Sequence, residues 1–229
     1  MNMLPNEAME MIAALAPLVK DTENEVVLCV PYTDLFYSLL AVQETNIKIG
    51  AQNMHFEEKG AYTGEISGKM LKSIGVQYVI IGHSERRQYF AETDETVNKK
   101  IKAAFLNNLK PIVCVGETLE QREAGIQYDI ITEQTKKALD GLTEDQVANT
   151  IIAYEPIWAI DSDTIPTNKE IEETTEFIKG IFPNNIVLYG GGVTSDNIYE
   201  LSQIKTVDGF LLGRLGNNIN ELEEFLKNI

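Results

Sequence analysis

Short apolar runs alternate with longer amphipathic segments along the whole chain. Each apolar run is bounded by turn residues, a pattern that predicts a buried β-strand. The seven predicted strands are Val26–Val30, Ile47–Ala51, Tyr78–Ile81, Ile112–Val115, Ile151–Tyr154, Ile186–Tyr189 and Phe210–Leu212. Strands that are apolar on both faces are typical of a parallel sheet that other elements cover. The pattern therefore predicts an α/β fold.

The intervening segments are rich in Glu, Lys, Ala and Leu and are predicted to be helices. They are Asp34–Val42, Ser67–Ile74, Asp94–Leu106, Ile131–Leu139, Lys169–Ile181, Ser195–Gln203 and Ile219–Lys227. Asp94, Thr167 and Ser195 are the predicted N-caps. An eighth helix, Pro5–Lys20, comes before the first strand. No break in composition divides the chain, so we expect one domain over residues 1–229.

Two architectures accommodate this order of elements. A closed eight-stranded barrel needs one strand more than the seven predicted here. An open, doubly wound sheet tolerates seven strands, but no Gly-x-Gly-x-x-Gly turn follows the early strands. The barrel is therefore the favoured interpretation, with its first strand absent from the chain.

The net charge of −16 bears on partners and not on fold. Such a field repels phosphate backbones and anionic lipid, so we expect neither nucleic acid nor a membrane as a partner. Cys29 and Cys114 each lie in an apolar run, which favours free thiols and a reducing, cytoplasmic location. No stretch approaches the length of a membrane span, and the start of the chain is unlike a secretory signal.

The strongest candidates for chemistry follow two of the strands. His83 comes directly after Tyr78–Ile81, where a neutral imidazole could polarise a carbonyl, with Glu85 as an additional hydrogen-bonding partner. Glu155 ends Ile151–Tyr154 and is followed by the apolar Pro156–Trp158, which would desolvate the carboxylate and raise its pKa towards that of a useful base. The alternatives are a histidine that only caps the helix region at Asp94 and a glutamate at the rim in contact with water.

The last two strands end in glycines that could admit an anion. Gly190–Gly192 follows one strand, and Gly213 with Arg214 follows the other. Glycine-rich turns expose backbone N–H groups, and Arg214 could add charge-assisted bonds. Glycines in tight turns are more often only turns. His55 lies in a polar loop and is treated as a surface residue, and no cluster has the spacing of metal ligands.

The sequence resembles the triosephosphate isomerase family in a series of motifs that occur in the family's order. They are Cys29–Tyr32, Ala51–Asn53, Gly60–Ser67, Gly82–Arg87, Cys114–Glu117, Arg122–Ile126 and Ala153–Ala159. The resemblance implies a (β/α)8 barrel that works without a cofactor and interconverts dihydroxyacetone phosphate and glyceraldehyde 3-phosphate. It assigns Glu155 as the base and neutral His83 as the group that polarises the substrate carbonyl. It also implies a homodimer through the loop that contains Thr63.

The sequence departs from the family pattern where the substrate's charge is held. The family's first strand carries an Asn-x-Lys motif just before the position of Met1 in this chain, so we expect neither that strand nor its lysine. The mobile loop has Asp161 at its tip in place of glycine, Gly192 replaces a serine, and Arg214 replaces a glycine. Arg214 could either restore a cation for the phosphate or fill the pocket with its bulk. Carboxylates beside a dianion are repulsive, so we expect weaker closure on phosphate.

Three functions fit this combination of retained and altered residues. The first is triosephosphate isomerase activity, reduced by the loss of the lysine. The second is an isomerase of the same type that acts on another small sugar or sugar phosphate. The third is an inactive barrel that binds a partner or regulates a true isomerase.

Overall fold

The computed structural model describes residues 1–160, 162 and 164–228. Its strands are β1 (Val27–Val30), β2 (Lys48–Ala51), β3 (Tyr78–Ile81), β4 (Lys110–Val115), β5 (Ile151–Tyr154), β6 (Val187–Tyr189) and β7 (Gly209–Phe210). Its helices are α1 (Pro5–Leu15), α2 (Leu35–Ala41), α3 (Gly68–Ile74), α4 (Ser84–Tyr89), α5 (Asp94–Leu106), α6 (Leu119–Glu123), α7 (Gln127–Leu139), α8 (Glu144–Ala148), α9 (Asn168–Ile181), α10 (Ile198–Leu201) and α11 (Ile219–Lys227). All seven predicted strands are confirmed, with ends that differ by up to two residues.

The strands form one parallel sheet in the chain order β1 to β7. Alternate residues of each strand point to opposite faces, and both faces are buried in β3 and β5 and half-buried in the edge strands β1 and β7. Val79 and Ile81 of β3 pack outward with helical residues such as Leu71 and Ile101. Tyr78 and Ile80 point the other way and join one cluster with side chains from β4 and β5, packed by Val27 of β1 and by Leu188 of β6. Contacts from β1 to β6 on one face require the sheet to curl around an inner core.

The helical layer brings the two ends of the sheet together. Ile12 of α1 lies in a cluster against which Ile219 and Leu226 of α11 pack, and Met11 packs with Leu222. Within the described residues, β1 and β7 each pair with a single neighbouring strand, and not with each other. The structure is therefore an α/β fold with a curled, seven-stranded parallel sheet.

The helix predictions find every long helix, with ends that differ by up to five residues, and they miss three short ones. Helices α4, α6 and α8 were not predicted, and α1 ends at Leu15 instead of Lys20. Thr167 caps α9 as predicted, whereas α5 is capped by Thr93 instead of Asp94, and α10 begins after Asn197 instead of Ser195. No helix of the described residues is long and apolar enough to cross a membrane.

Candidate active site

The turn after β3 places His83 at the start of α4. Gly82 has φ +75°, a left-handed conformation that a side chain would strain, and its N–H donates to Glu92 Oε1 at 2.9 Å. His83 is then the N-cap of α4, and its Nδ1 accepts a long bond of 3.4 Å from the N–H of Glu85. That bond needs an unprotonated Nδ1, so it favours the neutral tautomer with a proton on Nε2.

Glu155 lies at the carboxyl end of β5 and faces His83. Its backbone N–H donates to the carbonyl of Val115 at 2.8 Å, which continues the pairing with β4. Its side chain is buried, with Oε1 3.1 Å from His83 Nε2 and Oε2 accepting from the N–H of Ser84 at 3.2 Å. The alternative of a wet rim glutamate is therefore wrong, because the residue is only 2% exposed.

The charge state of His83 depends on Glu155. Burial lowers the pKa of His83, but the hydrogen bond to Glu155 and the negative charges of Glu155, Glu85 and Glu92 outweigh it, so the pKa is raised. The carboxylate thus favours the protonated ring, whereas the Glu85 N–H favours the neutral one. A neutral His83 requires either a pH above the raised pKa or the departure of Glu155 from Nε2.

Glu85 approaches His83 through its main chain. Its carboxylate is 3.8 Å from Nδ1, beyond hydrogen-bonding distance, and the side chain is 63% exposed. Glu85 is a hydrogen-bonding partner of His83 as expected, but through its backbone N–H and not through its carboxylate. His83 caps α4 and not the helix that begins at Asp94, so the alternative of a cap for that helix is wrong, and His83 also contacts Glu155.

Comparisons with known proteins cover the whole chain. Residues 1–229 match the family model described as "Triosephosphate isomerase". The triosephosphate isomerase of Acetivibrio thermocellus is 48% identical over 236 residues, spanning 99% of this chain and 94% of that protein. That of Thermoanaerobacter sp. is 49% identical over 222 residues, spanning 93% and 90%. The chain belongs to the triosephosphate isomerase family.

A solved structure supports the same assignment at the level of the fold. The crystal structure of triosephosphate isomerase from Bartonella henselae superposes with a TM-score of 0.89 at 35% identity, covering 98% of this chain and 93% of that one. The resemblance found in the sequence is confirmed, and with it the class of intramolecular aldose–ketose isomerases to which triosephosphate isomerase belongs.

The segment after Glu155 is held by the buried carboxylate of Glu117, a residue that the sequence marks only as the end of the motif Cys114–Glu117. Glu117 is fully buried, and its Oε1 accepts bonds from Tyr154 Oη at 3.1 Å and Trp158 Nε1 at 3.0 Å. The Arg122 guanidinium lies 3.5 Å from the same oxygen. Trp158 was predicted to wall the base. In this triosephosphate isomerase family member its indole N–H also ties the 3₁₀ turn Ile157–Ala159 to the end of β4.

The predicted anion-binding residues share the carboxyl edge of the sheet with His83 and Glu155. Gly192 follows β6, and a Cβ placed there would lie 3.4 Å from the carbonyl of Ala159, so it borders the loop after β5. Gly213 and Arg214 follow β7 and are exposed at the start of a 3₁₀ turn, Arg214–Asn217. Asp161 lies outside the described residues. In the described part of the chain, no group of three or more acidic, Cys or His residues could hold a metal.

The assignment of His55 as a surface residue is wrong. Its side chain is 16% exposed, stacks on Phe56 and packs against the tilted ring of Tyr62, with ring centroids 4.4 and 4.6 Å away. Nδ1 lies 3.6 Å from Glu65 Oε2. The polar residues Glu57 and Glu58 nearby in the sequence suggest an exposed loop, but the rings of Phe56 and Tyr62 cover His55 once the loop is folded.

Proposed function

We propose that this chain interconverts dihydroxyacetone phosphate and glyceraldehyde 3-phosphate, with Glu155 as the base. The observation that carries the proposal is the placement of a buried carboxylate against an imidazole at the carboxyl edge of a parallel sheet. Triosephosphate isomerases as a family are a standard case of a glutamate base paired with a neutral histidine. The family assignment and the local geometry thus point to the same reaction.

The chemistry is a proton transfer between adjacent carbons. Glu155 removes a proton from the carbon next to the substrate carbonyl, and the carbonyl oxygen gains negative charge in the enediolate. His83, neutral with its proton on Nε2, donates a hydrogen bond to that oxygen. His83 then gives its Nε2 proton to the former carbonyl oxygen and takes the proton of the enediolate's other hydroxyl in its place, and Glu155 returns the carbon-bound proton to the former carbonyl carbon. Substrate must displace the carboxylate from Ser84 N–H and His83 Nε2, which frees both groups for the reaction.

We infer that the substrate phosphate lies at the carboxyl ends of β6 and β7. Gly192 and Gly213 would offer backbone N–H groups there, and Arg214 would supply positive charge. The altered loop tip at Asp161 would oppose closure on a dianion. We therefore expect a triosephosphate isomerase of reduced efficiency.

Turnover of glyceraldehyde 3-phosphate by the purified chain tests this function. The protein should be produced in a host that lacks its own triosephosphate isomerase, which removes the contaminating activity. We expect measurable turnover that a phosphorylated enediolate mimic inhibits, because such a mimic shares the charge of the transition state. Turnover of an unphosphorylated or longer sugar without such inhibition would contradict the proposal, as would the absence of any turnover.

We infer that the fold is one domain over residues 1–229 and corresponds to a (β/α)8 barrel without its first strand. In its support, α1 and α11 pack together while the outer edges of β1 and β7 have no strand partner among the described residues. We also infer a cytoplasmic location. The free thiols of Cys29 and Cys114 support a reducing compartment.

We infer that the chain forms a homodimer through the loop containing Thr63. Thr63 is exposed, and the neighbouring Tyr62 is 44% exposed despite its apolar ring. Tyr89 and Phe90, at the end of α4, are 68% and 65% exposed. Exposed aromatic side chains of this size are typical of protein interfaces.

Sedimentation equilibrium tests the dimer. The wild-type chain is expected to sediment as a dimer, and Phe90→Asp is expected to raise the dissociation constant at least ~10²-fold, because it would bury a charge without a partner. Tyr199→Asp is the matched control, since Tyr199 is 64% exposed on α10. A monomeric wild type, or equal weakening by both variants, would contradict this interface.

A further inference from the structure

The side-chain amide of Gln134 binds the main chain of Gly116, the residue just before the buried Glu117. Gln134 of α7 accepts a bond from the N–H of Gly116 at 2.9 Å and donates one to the carbonyl of Gly116 at 3.0 Å. Gly116 comes just after β4 ends at Val115, where its own N–H and C=O have left the strand ladder. The side chain of Gln134 therefore does for Gly116 what a neighbouring strand does for the residues before it.

Gly116 in turn packs directly against the backbone of Glu155. A Cβ at Gly116 would lie 1.8 Å from the Glu155 carbonyl oxygen and 2.6 Å from its carbon, so the two main chains are in direct contact. The N–H of Glu155 donates to Val115, the residue before Gly116. The position of Gly116 thus fixes where the main chain of Glu155 can lie.

We propose that Gln134 is a positioning residue that aligns the Glu155 carboxylate by clamping the Gly116 peptide. The proposal rests on the proposed role of Glu155 as the base. Gln134 is half-buried on a helix outside the sheet and acts only through Gly116. A misplacement of a reacting group by about 1 Å reduces rates by up to ~10²-fold, so a small shift of this peptide has a measurable effect.

The side chain must be an amide for this role. Only Asn and Gln offer one acceptor and one donor side by side, as a peptide group requires. Gln134→Met keeps the length and approximate volume but removes both bonds. Gln134→Glu keeps the acceptor for the Gly116 N–H but places a second oxygen near the Gly116 carbonyl.

The test combines kinetics with NMR titration of the histidine rings. The chain has only two histidines, so His83 is assigned by the resonance that disappears in His83→Gln. Contact with Glu155 holds the pKa of His83 up, so the titration midpoint reports where the carboxylate lies. In Gln134→Met we expect this midpoint to fall. We also expect kcat to fall ~10-fold with KM within ~2-fold, because the substrate-binding groups are untouched.

Asn98→Leu is the matched control. Asn98 is also a half-buried amide that makes two bonds to main-chain groups, at 2.8 and 2.9 Å. It donates them to the carbonyls of Ala138, in the last turn of α7, and of Asp140, just after that helix. Both variants are expected to lower Tm by roughly 5 °C through their lost bonds. Only Gln134→Met is expected to change the His83 midpoint and kcat. If Gln134→Met fails to fold, Gln134→Glu takes its place with smaller changes in the same direction.

The kinetic measurement and the titration of His83 distinguish a failure of this proposal from a failure of the proposed function. A His83 midpoint that stays at its wild-type value in the Gln134 variant would overturn the proposal, whatever the loss of stability. A wild type without turnover, together with a midpoint that falls in Gln134→Met and not in Asn98→Leu, would support the positioning of Glu155 while refuting the isomerase reaction.

Discussion

Glu155→Gln is expected to lower kcat for glyceraldehyde 3-phosphate at least ~10³-fold, because an amide cannot take the substrate proton. The substitution conserves the shape of a side chain that fills a buried position. The amide oxygen of Gln can still accept the hydrogen bond that the N–H of Ser84 donates to Glu155 Oε2 at 3.2 Å in the wild type. We therefore expect the variant to fold with nearly unchanged stability, so that the loss can be assigned to chemistry.

The matched control is Glu85→Gln. The same substitution is made two residues after His83, but on an exposed carboxylate that lies 3.8 Å from the ring. We expect a change in kcat of less than ~3-fold, because the bond to His83 comes from the backbone N–H of Glu85, which the variant keeps. Turnover by Glu155→Gln within ~10-fold of the wild type would contradict the assignment of the base.

Glu155→Gln also tests whether the Glu155 carboxylate raises the pKa of His83. Two effects of Glu155, its hydrogen bond and its negative charge, contribute most to raising the pKa of His83 against the effect of burial, and the variant removes both. The titration midpoint of His83 should therefore fall in Glu155→Gln. A protonated His83 is present below its pKa, so the neutral ring should extend to lower pH in the variant than in the wild type.

The sheet could be predicted from sequence because its strands are apolar on both faces. Residues such as Val79 and Ile80 point to opposite sides, yet both are buried, so each strand is a continuous apolar run. The short helices could not be predicted in this way. Helix α4, with the sequence SERRQY, has only six residues and no apolar stripe, and its start is set by the cap at His83.

The site was only partly predictable for a related reason. His83 and Glu155 each follow a strand, and parallel strands bring such positions to one edge, so their proximity could be expected. Gln134 and Gly116 are separated by 18 residues and lie on a helix and a turn, and neither carries a local signal of pairing. His55 was misassigned because burial by Phe56 and Tyr62 depends on how the loop folds back on itself.

The buried ion pair between Glu92 and Lys100, which also binds the N–H of Gly82 just before His83, is expected to be the ion pair whose loss lowers the free energy of unfolding most. Glu92 is the centre of this group, with its side chain 2% exposed. It accepts bonds from Lys100 Nζ at 2.6 Å, Arg86 Nε at 2.8 Å and the N–H of Gly82 at 2.9 Å. Burial raises the pKa of Glu92, but these donors outweigh it and the pKa is lowered. The carboxylate is thus held ionised by its partners.

Glu92→Met is expected to lower the free energy of unfolding by about 3–5 kcal/mol, because it leaves the Lys100 ammonium buried without its carboxylate. Among the described residues, Lys100 then keeps its bond to Asn53 Oδ1 at 2.8 Å and no carboxylate partner, and its side chain is 7% exposed. The double variant Glu92→Met with Lys100→Met removes both charges. Its loss should be smaller than the sum of the two single losses, since the uncompensated charge is gone. Urea unfolding of the four proteins measures this coupling.

Lys137→Met is the control for the effect of burial. Lys137 Nζ lies 2.6 Å from Glu133 Oε1, the same separation as between Lys100 and Glu92, but these side chains are 46% and 57% exposed. Water solvates both charges there, so no measurable change in stability is expected. Equal effects of Lys100→Met and Lys137→Met would show that burial does not set the strength of the pair.

The pH dependence of stability provides an independent check on Glu92. Because its folded pKa is lowered, its contribution is complete above the unfolded pKa and is lost as the pH falls through the folded value. Glu92→Met removes this group, so its stability should decline less steeply with acid than that of the wild type. An acid limb of unchanged slope would mean that Glu92 binds its proton equally well in the folded and unfolded states, which would contradict a folded pKa lowered by its partners.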